Sequence, residues 1–140
     1  MNKIALYHNL TSGGSKRELF EFTRRFKENG YVIHLYGHNK EKKSILDLSG
    51  WIDEIHLIPL IFLNKISFTL PFFKSIINLF IDLINIRKIV SVSKLMAVEI
   101  DKNNYDFIFV HHNKDYVQSP FILKYLKTKT VYFWRETFFL

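Results

Sequence analysis

Residues Lys3 to Glu28, KIALYHNLTSGGSKRELFEFTRRFKE, constrain this chain most: an apolar run, a glycine pair and an amphipathic segment follow one another directly. Ile4, Ala5, Leu6 and Tyr7 show no polar alternation, the pattern of a strand covered on both faces of a parallel sheet. Gly13 and Gly14 give the backbone freedom that a side chain would forbid and let a ligand come close to the main chain. Ser15 followed by Glu18 is a capping-box pattern, so a helix is expected from Ser15. Leu19, Phe22 and Phe26, with Thr23 beside them, recur at helical spacing on one face, while Lys16, Arg17, Arg24, Arg25 and Lys27 fall mostly elsewhere. Free amides at a helix start, two glycines and the charges of Lys16 and Arg17 suit a phosphate or diphosphate. A tight strand-to-helix turn explains the same glycines. The loop is neither a Walker A sequence nor a GxGxxG fingerprint, so by itself it leaves both readings open.

The same unit repeats along the chain. Asn29-Gly30 is a helix stop, and Tyr31 to Tyr36 is a second β-rich run ending at Gly37. His38 to Lys43 reads as a loop, Ser44 to Leu48 as a short helix, and Glu54 to Ile58 as a third strand closed by Pro59. His34 and His56 sit inside strand runs with no visible partner and are read as structural histidines. Asn103-Asn104 ends the next helical region, and Asp106 to Val110 is a fourth strand that delivers His111, His112 and Asn113 to its carboxyl end. Ligands of open α/β sheets bind at that end, which gives His111 and His112 a functional reading. Adjacent side chains on an extended backbone point to opposite sides and no other ligand spacing is present, so no metal site is expected. Ser119-Pro120 opens a helix running to Lys127, and Thr130 to Phe133 is a fifth strand followed by Trp134, Arg135 and Glu136. The expected fold is a three-layer, Rossmann-like α/β domain with a mainly parallel sheet. A chain of 140 residues that is 48% hydrophobic fits one such domain.

Between Leu60 and Ile100 the composition turns strongly apolar, yet Lys65, Lys74, Asp82, Arg87 and Lys88 interrupt every window long enough to span a membrane. Beyond Pro71, the spacing of Asn78, Asp82 and Asn85 gives a helix one narrow polar stripe and a wide apolar face. Two readings fit. The helix is buried core, or it rests on an anionic membrane with Phe62, Phe68, Phe72 and Phe73 in the interface and Lys65, Lys74, Arg87 and Lys88 at the headgroups. A net charge of +7 favours anionic partners in general. The basic residues follow no helix-turn-helix or RNA-recognition pattern, so nucleic acid is not an expected partner. Without cysteine there are no disulfides or thiolate metal sites. The N-terminus has no signal-peptide pattern, and a cytoplasmic location is expected, with peripheral contact on the inner face of the membrane as its extension.

Taken together, KIALYHNLTSGGSKR, His111-His112, QSPFILKYLKT from Gln118 to Thr128 and VYFWRE from Val131 to Glu136 resemble the N-terminal half of family-4 glycosyltransferases of the GT-B fold. The resemblance implies an acceptor-side domain whose donor-binding partner, a second domain or a separate chain, holds the nucleotide sugar. The chain is accordingly expected to be one half of the enzyme, inactive alone, with Leu140 a cut in a longer whole. Gly13, Gly14, Ser15 and Lys16 would lie beside the donor diphosphate, and His111 and His112 would face the acceptor cleft. Where similar members have Cys-His-Glu, this chain has Trp134-Arg135-Glu136. Arg135 cannot act as a base, though it can hold a phosphate or sugar hydroxyl bidentately; it and Glu136 are the catalytic candidates. The nucleotide sugar is a co-substrate, the acceptor is a glycan or lipid-linked, and no further cofactor is implied. A non-catalytic α/β module, or a membrane-associated subunit, binding a phosphorylated ligand or partner chain is the alternative.

Overall fold

The apolar runs Ile4–Tyr7 and Phe107–Val110 lie in strands. The computed structural model describes residues 2–8, 14–38, 48–65, 67, 71–112 and 118–134. In order these are β1 (Lys3–Tyr7), α1 (Gly14–Glu28), β2 (Val32–Gly37), a 3-10 turn (Ser49–Trp51), β3 (Glu54–Leu57), α2 (Pro71–Lys102), β4 (Phe107–His112), α3 (Gln118–Tyr125) and β5 (Thr130–Trp134). The strands form one sheet in the order β3-β2-β1-β4-β5, and every pairing is parallel. The expected three-layer, Rossmann-like architecture is thus the observed one.

Strand alternation sorts the core into two layers. Ile4, Leu6, Ile33, Leu35 and Phe109 face α1 and meet Leu19, with Phe22 and Phe26 packed at the margin. Leu48 and Ile52, which flank the 3-10 turn, join this layer, and Trp51 meets Phe20 edge to face. Ala5, Tyr7, Tyr36, Ile108 and Val110 face the other way, toward Met96, Ala97 and Ile100 of α2 and Ile122 of α3. Thr23, predicted on the buried face of α1, is fully buried and its hydroxyl donates to the Leu19 carbonyl at 2.7 Å.

Helix ends follow the sequence signals closely. Gly30 takes a left-handed φ of 77°, and the Gly30 and Tyr31 amides close back on Lys27 and Phe26, the Schellman ending that a glycine permits. Asn104, just after α2, also takes a left-handed φ, of 51°. Helix α1 begins at Gly14, one residue before the expected Ser15, so Ser15 lies in its first turn and is not its cap. Of the short helix expected over Ser44 to Leu48, residues 44–47 lie outside the described residues; Leu48 is followed by the 3-10 turn. Helix α3 ends at Tyr125, two residues short of Lys127, and the Asp101 carboxylate of α2 takes the Lys127 and Thr128 amides instead.

Helix α2 is far longer than the sheet it covers. Its 32 residues extend roughly 48 Å at about 1.5 Å per residue, whereas strands of five or six residues reach about 17–20 Å. Ser93, Met96, Ala97 and Ile100, in its last third, are buried against the sheet. Because α2 returns antiparallel to the strands, its first half projects past their carboxyl ends. There Leu79 and Phe80 are 59% and 61% exposed, and Phe73 and Leu83 are also open to solvent. The predicted polar stripe does not face water alone. Asn85 holds the Leu63 main chain by both its N–H (2.8 Å) and its carbonyl (3.1 Å). Asp82 pairs with Lys65 at 2.9 Å, and Lys88 donates to the Ile61 carbonyl at 3.2 Å. No described helix is long and apolar enough to cross a membrane.

Candidate functional site

In the order β3-β2-β1-β4-β5 the chain leaves β1 toward one edge and comes back through β4 toward the other, so the connections after these two neighbours diverge. A crevice at their carboxyl ends is where such sheets receive ligands. Tyr7 is level with Val110, which sets His8 beside His111. The His8 amide donates to the Tyr36 carbonyl at 3.2 Å, so the extended backbone continues one residue beyond β1. Both histidines are buried, His8 at 6% and His111 at 2% exposure. Alternation directs both to the α1 side of the sheet, the side on which α1 begins.

A third histidine locks the opposite face of this edge. His38 donates Nδ1–H to the Ile58 carbonyl at 3.0 Å, which leaves Nε2 to accept the Tyr7 hydroxyl, also at 3.0 Å. Burial holds His38 below the usual histidine pKa, so it stays neutral and the tautomer is fixed by its partners. The ends of β1, β2 and β3 are thereby tied together under the crevice.

A second polar cluster lies toward the amino end of the sheet, between β2, β3 and the end of α2. His34 is level with Glu54, and Tyr36 with His56, so all four side chains share the α2 face. His34 Nδ1 stands 3.3 Å from His56 Nε2 and 3.1 Å from Glu54 Oε2, while His56 Nε2 is 3.4 Å from Glu54 Oε1. His56 turns its other nitrogen to Glu99 of α2 at 3.0 Å. Asn103 donates to the Tyr36 hydroxyl (3.2 Å), Tyr36 meets Tyr105 (2.8 Å), and Tyr105 meets His34 Nδ1 (2.9 Å). Burial pushes Tyr105 well above the usual tyrosine pKa and pushes His34 below the usual histidine value, with the nearby Lys3 charge adding to the second effect. The set His34, Glu54 and His56 is the one group among the described residues whose donors converge as a metal's ligands do.

Two solved structures share the fold. Both are the C-terminal domain of a Pyrococcus furiosus hydrogenase, one spanning its residues 78–226 and the other 83–215. They are 14% and 12% identical to this chain, each covers 94% of it, 90% and 91% of their own lengths align, and the TM-scores are 0.57 and 0.56. At such identity the likeness shows the fold alone. No protein-family model and no curated protein matches the chain.

Of the residues the sequence singled out, Gly14 opens α1 with Ser15 and Lys16 in its first turn, and His111 and His112 end β4. Gly13, Arg135 and Glu136 lie outside the described residues. His8 and His38 were missed, although the rule that selected His111, a polar residue just past a buried strand, selects them too. The reading of His34 and His56 as partnerless is corrected: they face one another, because parallel pairing of β2 with β3 brings together residues 22 apart in sequence.

Proposed function

We propose that this domain is the acceptor-side half of a glycosyltransferase, one wall of a cleft in which a sugar passes from a nucleotide sugar to a glycan or lipid-linked acceptor. The strand order carries this reading. Of the four stretches whose sequence resembles family-4 enzymes, β1, the His111-His112 end of β4 and β5 are neighbours in the sheet, and the β1/β4 switch point lies between the first two. Helix α1 begins at Gly14, and the free amides of its first turn together with the helix dipole suit the charge of a diphosphate. Transfer breaks the bond from the anomeric carbon to the diphosphate and forms one to the acceptor oxygen, whose proton goes to the departing diphosphate. His8 and His111 then serve as hydrogen-bonding walls of the acceptor subsite. Arg135 and Glu136, close after β5, supply a bidentate contact and a carboxylate to the sugar or phosphate. Donor orientation belongs to a second domain or chain.

The projecting half of α2 supports a lipid-linked acceptor. It stands beyond the same edge of the sheet as the crevice, apolar and exposed, and it would rest on the cytoplasmic face of a membrane. The test is transfer itself. The 140-residue chain is assayed with a panel of nucleotide sugars and with lipid-linked and soluble acceptors, with and without a donor-binding half. Transfer is expected only in the combined assay. Binding of phosphorylated ligands without transfer in any combination would favour the non-catalytic module, and robust transfer by the chain alone would contradict a divided site.

A further inference from the structure

We propose that His34, Glu54 and His56 form a binding site for a borderline divalent cation of the zinc type, separate from the crevice at the carboxyl edge. The argument begins with protons. His56 Nδ1 can bond the Glu99 carboxylate only as a donor, so in the neutral ring Nε2 carries a lone pair. Asn103 can only donate to Tyr36, and the arrangement that gives every hydroxyl proton an acceptor runs Asn103 to Tyr36 to Tyr105 to His34. His34 Nδ1 is then also a lone pair. With the Tyr105 hydroxyl bonded to one of them, two imidazole acceptor nitrogens and a carboxylate therefore surround one centre, an arrangement that a positive charge stabilises.

Size agrees with chemistry. A tetrahedral ion with ligand bonds of about 2.0–2.1 Å sets its ligand atoms roughly 3.3 Å apart. The three closest approaches between the groups are 3.3, 3.1 and 3.4 Å. Glu54 turns one oxygen toward each ring, and at 56% exposure it is the most open of the three, so a small rotation of its carboxylate seats either oxygen on the ion. Two imidazoles and a carboxylate select zinc and its neighbours over magnesium or calcium, which prefer all-oxygen shells.

The outer groups fit the same role. Glu99 holding the far nitrogen of His56 is the carboxylate–histidine–metal arrangement that fixes ring orientation and raises ligand basicity. Tyr36 stacks on the His56 ring, centroids 4.5 Å apart and planes within 6°. The ion competes with the Tyr105 hydroxyl for the His34 lone pair, and on losing that bond Tyr105 still accepts from Tyr36. The carboxylates of Glu54 and Glu99 outweigh the charge of Lys3, which sits 4.8 Å over the Tyr105 ring. The ion would fasten the edge strand β3 to β2 and, through Glu99, to α2.

The experiment titrates the metal-free 140-residue chain with Zn²⁺ against a chromophoric chelator. One ion per chain is expected, with an X-ray absorption spectrum of nitrogen and oxygen ligands at about 2.0–2.1 Å and a higher melting temperature with Zn²⁺ but not with Mg²⁺. His56→Gln and Glu99→Gln should each weaken binding by about tenfold or more. Glu54→Gln changes an exposed side chain, stays folded, and should weaken binding as well. No saturable binding by the folded chain, or unchanged affinity in folded Glu54→Gln and His56→Gln, would overturn the proposal.

Discussion

His38 shows how one residue couples the candidate crevice to pH. Burial holds its pKa below the ordinary histidine value, so between that value and its lowered folded value the unfolded chain binds the extra proton. Stability should therefore fall as pH drops below about 6.5, and it should be unaffected by His38 above that point. His38→Gln, read by urea denaturation across this range, should flatten the pH dependence, leaving the part that the similarly lowered His34 contributes. An unchanged slope in the variant would show that His38 titrates normally. At this scale the sequence exposed residue types but not partners. Polar residues past buried strands, such as His111 and equally His8, are readable from the run of Val110 or Tyr7 before them. The meeting of His34 with His56 is not, because it depends on the β2–β3 register, and a shift of one residue would have turned the two rings to opposite faces.

At the scale of elements, α2 carries the most information. Its limits were legible, since Pro71 can begin a helix but not continue one, and Asn104 tolerates the left-handed turn that ends it. Its polar stripe was legible too, but not what the stripe holds: Asn85 satisfies the Leu63 main chain across 22 residues, two hydrogen bonds worth about 0.5–1.5 kcal/mol each. This changes the membrane reading. Lys65 is paired with Asp82 and Lys88 is bonded to Ile61, so of the four basic residues Lys74 and Arg87 are left for headgroups. Apolar burial must supply most of the attraction. The protein should co-sediment with anionic liposomes, lose a minor share at high salt because only exposed charge is screened, and lose several-fold more on Leu79→Glu or Phe80→Glu. Equal recovery in the supernatant with and without liposomes would remove the membrane from the account.

For the molecule as a whole, alternation of strand and helix predicted the layers, and the five strands lie where the apolar runs are. Strand order did not follow from those runs, since order depends on which side each crossover packs. That order sets β1 beside β4 at the switch point and aligns His34 with Glu54. The central claim is that a phosphorylated sugar ligand binds at the carboxyl ends of β1 and β4. Backbone amide NMR of the 140-residue chain, titrated with nucleotide sugars and with a short lipid-diphosphate acceptor, tests it most directly. Saturable shifts are expected at His8, Gly14, Ser15, His111 and His112, and Gly14→Val should suppress them while the rest of the spectrum stays in place. Saturable shifts confined to other parts of the sheet, or no shifts at these amides with any of the ligands, would contradict it.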